Sequence, residues 1–242
     1  ERTESFLTDT HGRDHVTHAE LAVTNDGKFL GFKNETIANL GAYARVFGTV
    51  TPTYLFGPCA TGVYTIPAAY SNVKAVYTNT APVDAYRGAG RPEATYTIER
   101  LVEKAAMELG IDKTEIRMKN FPSEFPFKQT LVHTVDSGDY VAGLEKAKQM
   151  ADYAGFDARR KKSEANGKLR GIGVSSYFEA CGIAPSAAVM SLGCGVGLWE
   201  SAEVRFNPTG QISVFTGAHS HGQSHDTTFA QIAADELGVP ME

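Results

Sequence analysis

Residues 84–92, Asp-Ala-Tyr-Arg-Gly-Ala-Gly-Arg-Pro, set Arg87 and Arg91 around Gly88, Ala89 and Gly90 just ahead of a helical pattern opened by Pro92. Such a stretch is either an ordinary basic strand-to-helix turn or a loop that lets backbone amides and a guanidinium approach an anion. A helix N-terminus offers unpaired N–H groups and partial positive charge. Glycines let the main chain come close to a ligand, and arginine adds a planar, charge-assisted fork. The same build recurs at 217–228, Gly-Ala-His-Ser-His-Gly-Gln-Ser-His-Asp-Thr-Thr, where Gly222, Gln223 and Ser224 precede a second helical run. Gln223 carries an amide able to donate and to accept. Neither stretch is a Walker loop or a G-x-G-x-x-G turn. A glycine-rich turn before a helix is ordinarily only a turn. The repetition of the build at two places leaves both readings standing.

Other reactive side chains point less clearly. His219, His221 and His225 crowd the second loop, but their spacing around Gly222 does not align three imidazoles on one helical face. Polar contacts beside a loop are favoured over direct metal ligation. His11 and His15 flank Gly-Arg-Asp, a turn-like triplet, with His18 close by. No G-x-S-x-G occurs and no Ser/His/Asp order is legible. Cys181 and Cys194 lie beside glycines, where small buried cysteines are the commoner case. Glu179, in Ser-Ser-Tyr-Phe-Glu-Ala-Cys-Gly, is either a proton-transfer carboxylate with a raised pKa or the partner of a nearby arginine. The pairing is the favoured version.

The elements that must position these groups follow from periodicity. Residues 16–24 alternate, and Asn25-Asp26-Gly27 turns them into a partner strand over 28–38. Residues 41–72, broken by Pro52, Pro58 and Pro67, read mostly as loop, and 73–79 as a strand. Pro92 suits the first position of a helix whose apolar face is Ala94, Ile98, Leu101, Val102, Ala105 and Leu109, stopped by Gly110. Asp112 and Glu115 form a capping box for a short helix over 113–120. Helices are predicted over 138–152, 156–165 and 226–237, and strands over 169–182, 199–206 and 211–216. The Gly-, Ala- and Ser-rich stretch 182–197 reads as loop. Strands mixed with helices and joined by hairpins predict an α+β fold, mixed sheets with helices packed on them. No solenoid or propeller period is visible.

Composition limits the function classes. The chain has 242 residues, 42% hydrophobic and 21% charged, with a formal net charge of −5. The acidic balance, without a basic stripe, argues against nucleic acid as the main partner. No apolar run reaches the roughly 18 residues of a membrane span. Three scattered cysteines, Cys59, Cys181 and Cys194, suggest neither a disulfide framework nor a zinc pattern, and point to a reducing, cytoplasmic compartment. The N-terminus, Glu-Arg-Thr-Glu-Ser-Phe-Leu, lacks a methionine and the features of a secretory signal, so the chain is expected to be a piece of something longer.

Two long stretches, 84–121 and 215–240, together with His-Gly-Arg-Asp-His at 11–15, resemble the molybdenum-binding large subunit of the xanthine dehydrogenase and aerobic carbon monoxide dehydrogenase family. The resemblance runs over essentially the whole chain. It implies two parts of one molybdenum cofactor-binding region, over 1–130 and 131–242. It implies that Arg87, Gly88 and Ala89 meet the molybdenum centre, with Tyr86 and Gly90 behind them. Gly222, Gln223 and Ser224 hold the pterin on this reading, with His221 in support. The cofactor is then molybdopterin, with the cytosine dinucleotide form as one option, and no protein side chain ligates the metal directly. Tyr177 and Glu179 are candidates for the substrate side. The resemblance further implies hydroxylation of an aldehyde, N-heterocycle or related small molecule with water as oxygen source. Electrons then pass to a small iron-sulfur subunit and a medium FAD subunit, in a dimer of heterotrimers. The family's base glutamate is expected past residue 242, so the 242 residues alone are expected to be inactive. A metal-free paralogue or assembly subunit of the same fold is the alternative. The loop also departs from its relatives. Gly88 stands where copper-containing carbon monoxide dehydrogenases carry a copper-binding cysteine, which makes oxidation of that type doubtful and points to the form II-like branch. Ala89 stands where purine hydroxylases carry a stacking aromatic, and Ser224 where glycine is usual.

Overall fold

The computed structural model describes residues 2–179, 190 and 200–241. The chain divides into two compact units, Glu1–Glu179 and Ala180–Glu242. Unit 1 begins with helix α1 (Arg2–Thr8), followed by strands β1 (His15–Val23), β2 (Phe29–Gly41) and β3 (Ala68–Tyr77). These form a sheet of order β1-β2-β3, with β1 and β2 antiparallel and β2 and β3 parallel. The β1–β2 hairpin closes as predicted, with Gly27 N–H donating to the Thr24 carbonyl at 2.9 Å. Central strand β2 buries alternate residues Phe32, Asn34, Thr36, Ala38 and Leu40, as a half-covered strand must. β3 starts earlier than its predicted span, because the parallel register pairs Ala68 with Gly31 directly after Pro67.

The segment read as loop between β2 and β3 is built into the core. A π-helical turn (Thr51–Leu55) and a 3-10 turn (Gly57–Cys59) bring Phe56, Cys59, Ala60, Val63, Tyr64 and Ile66 almost wholly out of solvent. Helix α2 (Arg91–Leu109) packs on this layer through Ile98, Val102 and Ala106, with Leu101, Ala105 and Leu109 partly buried beside them. It ends, as expected, on a left-handed Gly110. Helix α3 (Lys113–Lys119) is capped by Asp112, whose Oδ1 accepts from the Thr114 N–H at 2.7 Å. Asn120 then ties α3 to the hairpin, donating to the Gly27 carbonyl and accepting from the Phe29 N–H, both at 2.8 Å.

A charge cluster in this core escapes a hydrophobic pattern. Arg117 is 0% exposed and pairs with Glu99 (Nη2–Oε2 2.9 Å) and, less closely, with Glu103 (Nη1–Oε2 3.4 Å). The Tyr64 hydroxyl donates to the other Glu99 oxygen. Burial raises the Glu99 carboxyl pKa, and the guanidinium pulls it back. Arg117 also donates to the Val174 carbonyl at 3.0 Å, and Lys113 to the Ile172 carbonyl at 3.2 Å. These bonds correct the strand predicted over 169–182. Residues 169–179 form no strand; the Ile172 and Val174 carbonyls are taken by side chains rather than by a neighbouring strand, and 180–182 lie outside the described residues.

Short strands β4 (Phe127–Lys128) and β5 (Thr134–Val135) pair antiparallel. They precede helices α4 (Tyr140–Met150) and α5 (Phe156–Glu164). The boundary expected at residue 130 falls between β4 and β5 inside unit 1. There the Thr130 hydroxyl and the Gln129 amide donate to the carbonyls of Ile66 and Gly62. Unit 2 shows the antiparallel pair β6 (Ala202–Phe206) and β7 (Ile212–Thr216), turned at Asn207–Gly210. Helix α6 (His225–Leu237) ends at a left-handed Gly238. Most of the stretch 182–197, with Cys181 and Cys194, lies outside the described residues.

Candidate functional site

The first loop does not stand alone; the 11–15 segment braces it. His11 forms an isolated parallel bridge with Val83, its N–H donating to the Pro82 carbonyl and its carbonyl accepting from the Asp84 N–H, each at 2.9 Å. That places Arg13 beside the arginine loop. The Arg13 guanidinium lies 4.9 Å from the Tyr86 ring centroid, donates to the Arg87 carbonyl and pairs with Glu93 at 3.5 Å. The motif link between residues 11–15 and 84–92, visible in the sequence only as two separate resemblances, is a set of direct contacts.

The loop then winds into α2 through successive turns. Ala89 N–H donates to the Tyr86 carbonyl at 2.7 Å, and Arg91 N–H to the Gly88 carbonyl at 3.2 Å. Gly88, Ala89 and Gly90 all have positive φ, at 93°, 41° and 89°. At Gly90 a Cβ would sit 2.6 Å from the Thr51 carbonyl oxygen and 2.7 Å from the Phe56 nitrogen, so packing on the π-helical turn demands glycine. At Gly88 a Cβ would meet the Pro92 ring at 2.5 Å. The N-cap of α2 is Gly90, which offers no side-chain cap. Arg87 and Tyr86 are exposed, and Asp84 spends one oxygen on the N–H groups of Phe47 and Ala85. A groove of about 1020 Å³ runs from Arg13 and Pro92 along α2 toward Met107.

The second loop repeats the pattern in its own unit. Gly222 has φ 96° and Ser224, the N-cap of α6, has φ 60° with no side-chain cap bond. The His221 N–H donates to the Gln223 side-chain oxygen, leaving the amide NH2 as a donor. The His219 and His221 rings meet edge to face at 4.4 Å, while His225 stacks on Phe229 at 4.9 Å. Among the described residues no group of three or more His, Cys, Asp or Glu side chains is arranged to hold a metal ion.

Of the two substrate-side candidates, Tyr177 is exposed, and Glu179 pairs with Arg91 at 3.2 Å, the favoured alternative of the sequence reading. The structure adds residues that the sequence did not single out. Cys59 lies 3.3 Å from His133 Nε2, and the His133 ring meets Phe178 edge to face at 5.9 Å. Burial pushes the Cys59 thiol up to about 11. Burial, aided by the Arg91 charge, lowers the pKa of His133. A cysteine and a histidine far apart in sequence, each without a motif, carry no signal that could have found them.

Residues 1–121 match a family model described as a molybdopterin cofactor-binding domain, and residues 146–242 match a second model of the same description. The chain belongs to the molybdopterin cofactor-binding domain family. Over all of its length it is 41% identical to the carbon monoxide dehydrogenase large chain of Hydrogenophaga pseudoflava, of which it covers 31%. Quinoline 2-oxidoreductase from Pseudomonas putida 86 superposes over the whole chain with a TM-score of 0.87 at 36% identity, and a Cu,Mo-CO dehydrogenase with 0.83 at 36%. The chain again spans 31% of each of these.

The residues present fit a molybdopterin-type anion on chemical grounds. Both helices start without a side-chain cap, although at the first the Arg91 N–H already goes to the Gly88 carbonyl and Pro92 has none to offer. Arg87 adds an exposed cation at the first, and Gln223 a free amide donor at the second. The nearest carboxylates of the first loop, Asp84 and Glu93, are already engaged, by backbone N–H groups and by Arg13. What is left is the exposed Arg87 guanidinium at the first loop and the Gln223 amide beside an uncapped helix start at the second, donors of the kind an oxyanion ligand takes.

Proposed function

We propose that this chain is part of the large subunit of a molybdopterin-dependent hydroxylase and carries both of its cofactor loops. The observation that supports this most is the brace from Arg13 to the Arg87 carbonyl, which holds an uncapped, cation-bearing helix start in one conformation. When bound, the cofactor supplies two-electron oxidation of a small substrate with water as the oxygen source. The chain's own residues bind and orient. Arg87, Gly88 and Ala89 are the cofactor-binding residues of the first loop, with Tyr86 and Gly90 shaping it, and Gly222, Gln223 and Ser224 are those of the second. The two cofactor-binding regions are taken as 1–130 and 131–242.

The substrate class is an aldehyde, an N-heterocycle or a related small molecule. Gly88 offers no thiol for copper, and Ala89 no ring to stack on a purine. The partners are an iron-sulfur subunit and an FAD subunit in a dimer of heterotrimers, in the cytoplasm; no helix among the described residues is long and apolar enough to cross a membrane. The test is Arg87→Ala in the full-length subunit, expressed with its partners. Molybdenum by mass spectrometry and pterin by oxidative fluorescence should both fall at least several-fold. If Arg87→Ala and Gln223→Ala both keep full molybdenum, pterin and substrate oxidation, the reading is wrong.

A further inference from the structure

The second arginine of the loop, Arg91, is used differently from Arg87. Its side chain is only 12% exposed and turns back under the loop rather than out of it. Nη1 donates to the carbonyls of Gly88 and Ala89, each at 3.4 Å, while Nε pairs with Glu179 at 3.2 Å. Gly88 and Ala89 are the residues with φ of 93° and 41°, and at alanine a positive φ persists only where the surroundings over-determine it. We propose that Arg91, held by Glu179, is a positioning residue that clamps the Gly88–Ala89 turn and so presents its outer face to the cofactor.

The surroundings of the guanidinium fit that role. Cys59 and His133 lie beside it; the thiol stays protonated and the imidazole neutral at ordinary pH, so neither competes with Glu179 or repels the clamp. Glu179 is brought within reach because the preceding segment is pinned at Ile172 and Val174 by Lys113 and Arg117. The chain thus runs a connected path from the buried charge cluster to the turn. Lysine cannot reproduce it. A single ammonium does not span two carbonyls on one side and a carboxylate on the other, as a planar fork does.

This inference rests on the cofactor reading of the loop, so the experiment separates the two. Arg91→Lys and Glu179→Gln are made in the full-length subunit with its partners, beside Arg87→Ala. Amide hydrogen exchange over residues 86–91 and bound pterin are measured in each. Arg91→Lys is expected to speed exchange of the loop amides at least tenfold and to lower pterin content, with Glu179→Gln shifted in the same direction to a smaller extent. Exchange and pterin unchanged in Arg91→Lys would overturn the clamp. Faster exchange with pterin fully retained would also overturn it, by confining Arg91 to loop structure. If Arg87→Ala, and Gln223→Ala made beside it, both retain all their pterin, the cofactor reading falls instead, and the exchange data still report whether the clamp exists. Glu179 is half exposed, so Glu179→Gln keeps the test available should Arg91→Lys fail to fold.

Discussion

Gly88 sits at the centre of the arginine loop, and the structure turns its need for glycine into a number. Gly88→Cys, the substitution that would supply a thiol, meets two obstacles. A φ of 93° places a side-chain-bearing residue in the left-handed half of the map, at a cost of about 1–2 kcal/mol. The new Cβ would also lie 2.5 Å from Pro92 Cγ and 2.7 Å from its Cδ, in a ring that cannot swing away without moving the first turn of α2. Overpacking of that kind costs about 1–3 kcal/mol. The sum starts near 2 kcal/mol, which corresponds to roughly a 30-fold increase in the opening equilibrium of the loop. Hydrogen exchange of amides 84–92 in the full-length subunit reads that factor locally. Gly88→Ala, with the same Cβ and no thiol, should give a similar value. Cuprous ion added to Gly88→Cys should not bind stoichiometrically, because the loop must distort to carry the thiol. Unchanged exchange together with tight copper binding would refute the reasoning, since the turn would then accept a side chain where Pro92 leaves no room.

Two further predictions concern the core that carries the loop. Glu99→Gln leaves Arg117 buried without its main counter-charge, and should cost about 3–5 kcal/mol, seen as faster unfolding of the full-length subunit in denaturant. Replacing both Glu99 and Arg117 with apolar residues of similar size should recover most of that loss. The second concerns pH. Burial lowers the pKa of His133 below its ordinary 6.5, with Arg91 adding to the effect, and burial lowers that of His15 despite Glu93 and Asp14 nearby. The unfolded chain therefore binds protons more readily at these sites, so their contribution is intact above pH 6.5 and is lost as pH falls below it. Thermal stability should drop between about pH 6.5 and 5, and His133→Asn should flatten part of that slope. An equal slope in the variant would remove His133 from the account.

What could be read in the sequence was what is encoded locally. The hairpin around Asn25-Asp26-Gly27 needs only alternation and a turn, and α2 only a 3.6-residue period between Pro92 and Gly110. The Asp112 cap is likewise settled within four residues. The parallel pairing of β2 with β3 was not legible, because its register is decided by how the intervening segment packs, and that segment's prolines disguised a buried layer as loop. Residues 169–179 misled for a related reason. Their apolar character is that of a covered strand, yet Arg117 and Lys113 meet the backbone needs that a neighbouring strand would have met.

The arginine loop shows the same division. Its residue types left an anion site and a plain basic turn both open, and the parts that hold its shape come from three distant stretches: Arg13 on the Arg87 carbonyl, Thr51 and Phe56 against Gly90, and Glu179 on Arg91. Each makes a demand that only one residue type meets. Gly90 admits no Cβ, and Arg91 must reach two carbonyls and a carboxylate at once. Gly88 and Arg87 are therefore not equivalent members of one motif. Changing Arg87 removes a donor from the outer face and leaves the turn intact, whereas a side chain at Gly88 alters the turn on which every outer donor depends.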